Sequence, residues 1–374
     1  MSTAVFVAGS LGNKPRQAGE AWVKLSWVRG LASLGMDVRF VEELDPSVDE
    51  RAASEWFSSV ANRFGLRERA TLLGGGRAII GPSLEELMDH APHAALVNIS
   101  GHLTRPELFR AFRRRVMVDI DPGFTQFWYT KGLPGANVEG HDAYFTIGEL
   151  IGTRDCPIPT GTIEWRPMRQ PVVLDDWPPM GTGEPERFTT IASWRGPFGP
   201  VEHGGTTYGL KVHEFRRFLE LPRRCPYSFE VALDIDPADR RDLENLRVQG
   251  WEVVDPREVA GDPGALRGYV QGSDAEFSAA QGMYVKTGCG WFSDRTTRYL
   301  ASGRPALVQD TGFSRLLPVG DGVVAFTTLD EAVAGAADIA DRYAEHCVAA
   351  RRLAEEHFDA ARVLARFSEQ ADIG

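Results

Sequence analysis

Residues 288–312, GCGWFSDRTTRYLASGRPALVQDTG, bring glycines, hydroxyls, arginines and aspartates into one short run. The segment CGWFSDRTT lies between a β-like run and the helical RYLASG, so it reads as a loop feeding a helix whose first turn holds Ser293, Asp294, Arg295, Thr296 and Thr297. A helix start offers unpaired backbone N–H groups and the positive end of the dipole, and Ser, Thr and Arg add further donors. That is equipment for an anion such as a phosphate. Helix capping by Ser293 or Asp294 is the simpler alternative, and it accounts for one side chain only. After the helix, a glycine stop, a proline and a buried-looking strand place Asp310 and Thr311 where a ligand held by the helix would be met.

The elements that must position these residues alternate. TAVFVAG is a short β-like run; EAWVKLSWVRGLASLG carries Trp22, Leu25, Val28, Leu31 and Ala32 at helical spacing; DVRFVEE follows as a second strand. RAIIG, AALVNIS, RVMVDID and DAYFTIG extend the pattern. A proline-rich stretch from about residue 152 reads as a linker with extended pieces, because proline fixes φ and removes a donor. A second alternation then runs from FTTIASW to VVAFT, with either EFSAA or MYVKT as one of its strands. The expected fold class is α/β, with two Rossmann-like doubly wound domains facing across a cleft. The expected divisions are 1–170, 171–355 and a final helix over 356–374 that crosses back to the first domain.

Composition narrows the partners. At 374 residues with net charge -11, the chain is large enough for two domains and too acidic for a nucleic-acid surface. The four cysteines are scattered, which indicates neither a disulfide framework nor a zinc site. The first residues lack a basic, apolar leader and no run approaches a membrane span, so a cytoplasmic location is expected.

The run 288–312 resembles the donor-binding segment of nucleotide-sugar glycosyltransferases with the GT-B architecture, in CGW, in the hydroxyl-headed helix and in LASGRPALV. It departs from that pattern in lacking the opening His and in carrying Arg298 where a ribose-holding carboxylate usually stands. The resemblance implies transfer of a sugar from a nucleotide-diphosphate sugar, UDP or TDP, to a small-molecule or glycan acceptor, with no other cofactor. It also implies that Arg195 and Lys211 reach the diphosphate and that Gly19 lets backbone approach it. Homodimer formation stays open.

Such a reaction needs a group that takes the acceptor proton. His102 follows a buried-looking strand, and Asp119 and Asp121 end another, on one side of it by alternation. Either can be structural, Asp121 with Pro122 and Gly123 as a turn. No metal is expected: the second Asp-x-Asp, at 234–236, reads as the cap of the helix starting at Pro237. The aromatics Phe124, Phe127, Trp128 and Tyr129 could stack on an acceptor or simply pack. A Rossmann-type NAD or FAD oxidoreductase, with Glu42 and Glu43 at the end of the second strand, is the alternative. A same-fold epimerase or a non-catalytic binder is a third.

Overall fold

The computed structural model describes the chain except residues 1, 2 and 182, the last inside the proline-rich stretch. The first half forms one sheet from β1 (Ala4–Ala8), β2 (Asp37–Glu43), β3 (Ala70–Gly74), β4 (Arg77–Ile80), β5 (Ala94–Ile99), β6 (Arg114–Asp119), β7 (Ala143–Thr146) and β8 (Trp165–Pro167), in the spatial order β4-β3-β2-β1-β5-β6-β7-β8. All neighbours are parallel except β3 and β4, which the Gly75–Gly76 turn makes antiparallel. RAIIG is thus an edge strand rather than another parallel one. The proline-rich segment contributes β8, whose Pro167 sits at the sheet edge, where a missing donor costs nothing.

The second half supplies β9 (Arg187–Ser193), β10 (Val201–His203), β11 (Thr206–Tyr208), β12 (Ser228–Asp234), β13 (Trp251–Val254), β14 (Ala275–Ser278), β15 (Ala306–Gln309) and β16 (Val323–Phe326). Six of them form a parallel sheet in the order β13-β12-β9-β14-β15-β16, and β10 and β11 form a separate hairpin. EFS is the strand β14, while MYVKT lies in the helix Gly282–Thr287, which ends on Gly288 in the left-handed region. Both sheets are doubly wound, as expected.

This order fixes where a ligand can sit. In each sheet the chain leaves a central strand in one direction and returns on its other side, between β1 and β5 in the first and between β9 and β14 in the second. The helices crossing there depart to opposite faces, so a crevice opens beyond the carboxyl ends of those strands.

Packing joins the halves. The first helix, Ala18–Ser33, is buried on most sides, and Trp22 donates to the Pro263 carbonyl of the second half at 2.9 Å. The apolar stripe near the end of the chain is broken at Arg342 into Leu329–Asp341 and Tyr343–His357, the latter packed on Asp294–Ala301. The last helix, Ala360–Ala371, crosses back and lies on the first helix. Phe367 meets Trp27 at 4.9 Å and Phe145 at 4.7 Å between ring centroids. Gly30 permits the contact, since a Cβ there would stand 2.5 Å from Leu364 Cδ1.

Candidate functional site

At the carboxyl ends of β1 and β5, the loop after β1 carries Lys14 and the turn after β5 carries His102. His102 and Asp121, the latter in the loop after β6, are acted on by the same charges, Lys14, Glu20 and Lys24, so the three loops and the start of the first helix form one acid–base cluster. Lys24 is buried and ion-paired with Glu20 one turn earlier. Burial first, and then the neighbouring Lys24 cation, pushes the His102 imidazole down to about 4, so it is neutral near pH 7.

The two aspartates at the end of β6 and just after it separate in role. Asp119 is fully buried and accepts from Asp121 N at 3.0 Å and from Thr125 Oγ1, Gln126 Nε2 and Thr146 Oγ1, each at 2.7 Å. Its oxygens are filled by the chain itself, which makes it the organiser of the turn. Asp121 is half-buried and its carboxylate forms no hydrogen bond or ion pair among the described residues. Burial, then the charge on Asp119, raises its carboxyl to about 7. Such a group takes up a proton at neutral pH.

Across the cleft, at the carboxyl ends of β9 and β14, Lys211 and Arg295 come together. Arg295 is committed inside the domain: Nε donates to Glu276 Oε1 at 2.6 Å, Nη2 to Ser278 Oγ at 2.8 Å, and Nη1 to the Ile191 carbonyl. It pins the start of its helix to both switch-point strands. Lys211, half-buried, donates to the Ala279 carbonyl at 3.0 Å and has no ion pair among the described residues. Burial, then the Arg295 cation, pushes its ammonium down to about 7. One carboxylate, Glu276, therefore faces two cations here, and an added anion would restore the balance.

The remaining residues of the run divide. Ser293 caps the helix Asp294–Ala301, its Oγ accepting from Arg295 N at 3.2 Å, and Thr297 Oγ1 donates back to the Asp294 carbonyl at 2.8 Å. Thr296 is buried beside Glu276. Asp294 pairs with Arg298 at 2.7 Å, and Arg298 Nη2 donates to the carbonyl of Gly19 in the first domain at 3.2 Å. Gly19 faces open space, with no atom where a side chain would stand. Asp310 caps the next turn, accepting from Gly312 N at 2.9 Å and Ser314 Oγ at 2.6 Å, and Thr311 donates to the Trp291 carbonyl. Thr311 thus holds the loop 288–291, and Asp310 the turn that follows it. Arg195 is exposed and bound in bidentate fashion to Asp239, at 2.6 and 2.7 Å, away from Lys211.

The aromatic run 124–129 serves largely as an interdomain seam. Phe124 and Trp128 meet Phe198 at 5.0 and 4.8 Å, and Phe127 stacks on Tyr208 of the β10–β11 hairpin at 5.5 Å. Gly123 in the left-handed region (φ +89°) allows Met283 within 2.6 Å of its missing Cβ. Tyr129, near a groove of about 440 Å³ that also touches Glu139, Tyr144 and Glu164, lies outside the switch-point cleft. Tyr284 stacks on Trp291 at 4.3 Å and feels the charges of both Asp121 and Asp294, so it sits where the two halves meet.

Sequence reasoning passed over Lys14, Glu20, Lys24, Glu276 and Tyr284. A Glu and a Lys four apart among the apolar residues of the first helix were the legible sign of the buried pair. The oxidoreductase alternative rests on Glu42, with Glu43, at the end of β2. The Glu42 oxygens accept from Gly12 N at 2.6 Å and Asn13 N at 2.8 Å, so it is committed to the loop after β1. No helix among the described residues is long and apolar enough to cross a membrane.

No family model matches the chain. A curated tRNA-2-methylthio-N(6)-dimethylallyladenosine synthase of Delftia acidovorans is 33% identical over 104 residues, and that match spans 28% of this chain and 24% of the synthase. The chain thus aligns with about a quarter of the length of that relative. Similarity of structure extends over the whole chain. The solved structure of HepE from Anabaena in complex with UDP matches with a TM-score of 0.55 at 9% identity over 100% of both chains. AviGT4, a glycosyltransferase involved in avilamycin A biosynthesis, matches with a TM-score of 0.57 at 14% identity over 99% of this chain and 97% of its own. An α-glucosyltransferase in complex with UDP and a 13-mer DNA matches with a TM-score of 0.61 at 9% identity over 99% of each. This chain has two doubly wound sheets, a switch point in each and a helix returning to the first domain, and with the whole-chain likeness it is a divergent representative of the GT-B fold.

Proposed function

We propose that this chain is a glycosyltransferase that moves a sugar from a nucleotide-diphosphate sugar, with UDP as the favoured nucleotide, onto an acceptor hydroxyl in the cleft. The observation that carries the reading is Lys211, a half-buried cation without a carboxylate partner among the described residues, set at the second switch point opposite an acid–base cluster at the first. The diphosphate is the anion that suits it.

In this reading Lys211 and the N–H groups at the start of the helix Asp294–Ala301 meet the diphosphate, and Gly19 leaves room on the facing wall. Asp121 accepts the proton of the acceptor hydroxyl. The acceptor oxygen then forms a bond to the anomeric carbon as the bond from that carbon to the phosphate oxygen breaks, and Lys211 stabilises the charge that develops on the leaving diphosphate. His102, neutral, offers a hydrogen bond to a sugar hydroxyl. Arg295 acts from behind, by withholding Glu276 from Lys211. No divalent cation is required in this scheme, and turnover that persists in EDTA is its expected sign.

Isothermal titration with UDP, uridine and NADH tests the reading. UDP binding that far exceeds uridine binding, together with release of UDP from a UDP-sugar, is expected. NADH binding with no response to UDP would overturn it.

A further inference from the structure

The last two residues of β2 carry carboxylates that bind different loops. Glu42 is buried and accepts from Gly12 N at 2.6 Å, and from Asn13 N and Asn13 Nδ2 at 2.8 Å each. The Asn13 side chain then reaches the Glu43 carbonyl at 2.7 Å and accepts from Asp45 N at 2.8 Å, so the loop just before Lys14 is tied to the end of β2 at five points in all. Glu43 reaches past the end of β1 to the turn that follows β5: its Oε2 accepts from Thr104 N at 3.1 Å, Thr104 Oγ1 at 3.3 Å and Arg105 N at 3.0 Å. Its Oε1 stands 3.2 Å from Arg105 Nε.

Both loops need such fastening. The β1 loop contains Arg16 at φ 61°, and the β5 loop places Ser100 at φ 52° immediately before Gly101 at φ 64°. A side-chain-bearing residue in the left-handed region is strained and persists only where its surroundings over-determine it. A parallel sheet has no intrinsic need for paired carboxyl groups at a strand end, and carboxyl oxygens that accept from backbone N–H groups hold those N–H groups in place.

We infer that Glu42 and Glu43 are positioning residues of the transferase site, Glu42 for the loop that carries Lys14 and Glu43 for the turn that carries His102. The catalytic purpose rests on the transferase reading; the fastening itself does not. His102 faces Lys14 from the β1 loop and Glu20 and Lys24 from the first helix, and it is held where burial dominates its titration. Releasing its turn exposes it to water.

The test is an NMR titration of the His102 imidazole in the full chain, assigned with His102→Ala, in wild type, Glu43→Ala and Glu43→Gln. Turnover of a UDP-sugar is measured alongside for Glu43→Ala in the wild-type and His102→Ala backgrounds. In Glu43→Ala the His102 midpoint is expected to climb from about 4 toward its ordinary 6.5. Glu43→Gln, which keeps one acceptor oxygen, stays nearer wild type. Turnover falls about tenfold with UDP affinity unchanged, and the loss disappears in the His102→Ala background because both changes act through one group. An unmoved His102 midpoint in a folded Glu43→Ala protein overturns the positioning role. A moved midpoint in a protein with neither UDP binding nor turnover upholds the fastening and overturns the transferase reading instead.

Discussion

Arg298 Nη2 donates to the carbonyl oxygen of Gly19 across the cleft at 3.2 Å, while the same guanidinium pairs with Asp294 at 2.7 Å. The first bond ties the start of the first helix to the second domain, next to the Ala18 N to Ala260 O bond at 3.2 Å and the Trp22 to Pro263 bond. An arginine standing where the resemblance led one to expect a carboxylate is thereby explained as a fastening between domains. Arg298→Ala should loosen this edge of the cleft. The expected outcome is faster hydrogen exchange at residues 18–22 and turnover reduced about tenfold, the scale of one charge-assisted hydrogen bond, with UDP affinity affected less.

Lys211 should dominate diphosphate affinity. Lys211→Met is expected to weaken UDP by about ten- to a hundredfold and leave uridine unchanged, since a charged hydrogen bond in a shielded site is worth roughly 1.5–3 kcal/mol. The free ammonium titrates at about 7 and the diphosphate needs it protonated, so UDP affinity should fall as pH rises above that value. Calorimetry in buffers of different ionisation enthalpy should register proton uptake on binding at pH 8. Equal losses for UDP and uridine would count against the assignment.

Asp121 must be deprotonated to accept a proton. With its carboxyl at about 7, kcat should rise with pH through that region, opposite in sign to the donor affinity. Asp121→Asn is expected to lower kcat by at least about a hundredfold, within the usual range for a lost general base, while UDP still binds. Full turnover in that variant would remove Asp121 from the mechanism.

Asp119 belongs to the fold. Asp119→Ala removes an acceptor from four donors at once and should destabilise the protein by about 3 kcal/mol or more, seen as a lower Tm. Turnover per folded molecule well below that of wild type is also expected, because Asp121 and Gln126 lose their anchor.

Phe367→Ala tests the returning helix. It empties a site between Trp27 and Phe145 and should cost about 3–5 kcal/mol. Chemical denaturation followed by the chain's tryptophan fluorescence reads the change as a lower midpoint.

The frame was legible because strand and helix periods are local properties: Val5 and Val7, or Trp22 and Leu25, announce their element without knowledge of the partner. The helix Asp294–Ala301 could be placed in the same way, from glycine, serine and the strand that follows. What could not be read were the commitments of charged side chains. Arg195, Arg295, Asp310 and Thr311 have the chemistry of ligand contacts, and the fold spends them on Asp239, on Glu276, on a turn and on the Trp291 carbonyl. Asp119 and Asp121 are alike in sequence and differ because Thr125, Gln126 and Thr146 converge on one of them. Thr146 is far along the chain, so no local pattern could reveal it.

The return of Ala360–Ala371 to the first helix has a consequence for biosynthesis. The sheet over residues 4–167 can assemble early on the ribosome, but the surface around Trp27 and Phe145 stays unsealed until Ala360–Ala371 emerges. The two halves therefore do not mature in chain order: the second can close its core while the first still waits, and a nascent chain halted shortly before residue 360 would leave an apolar scar for chaperones or proteases to find.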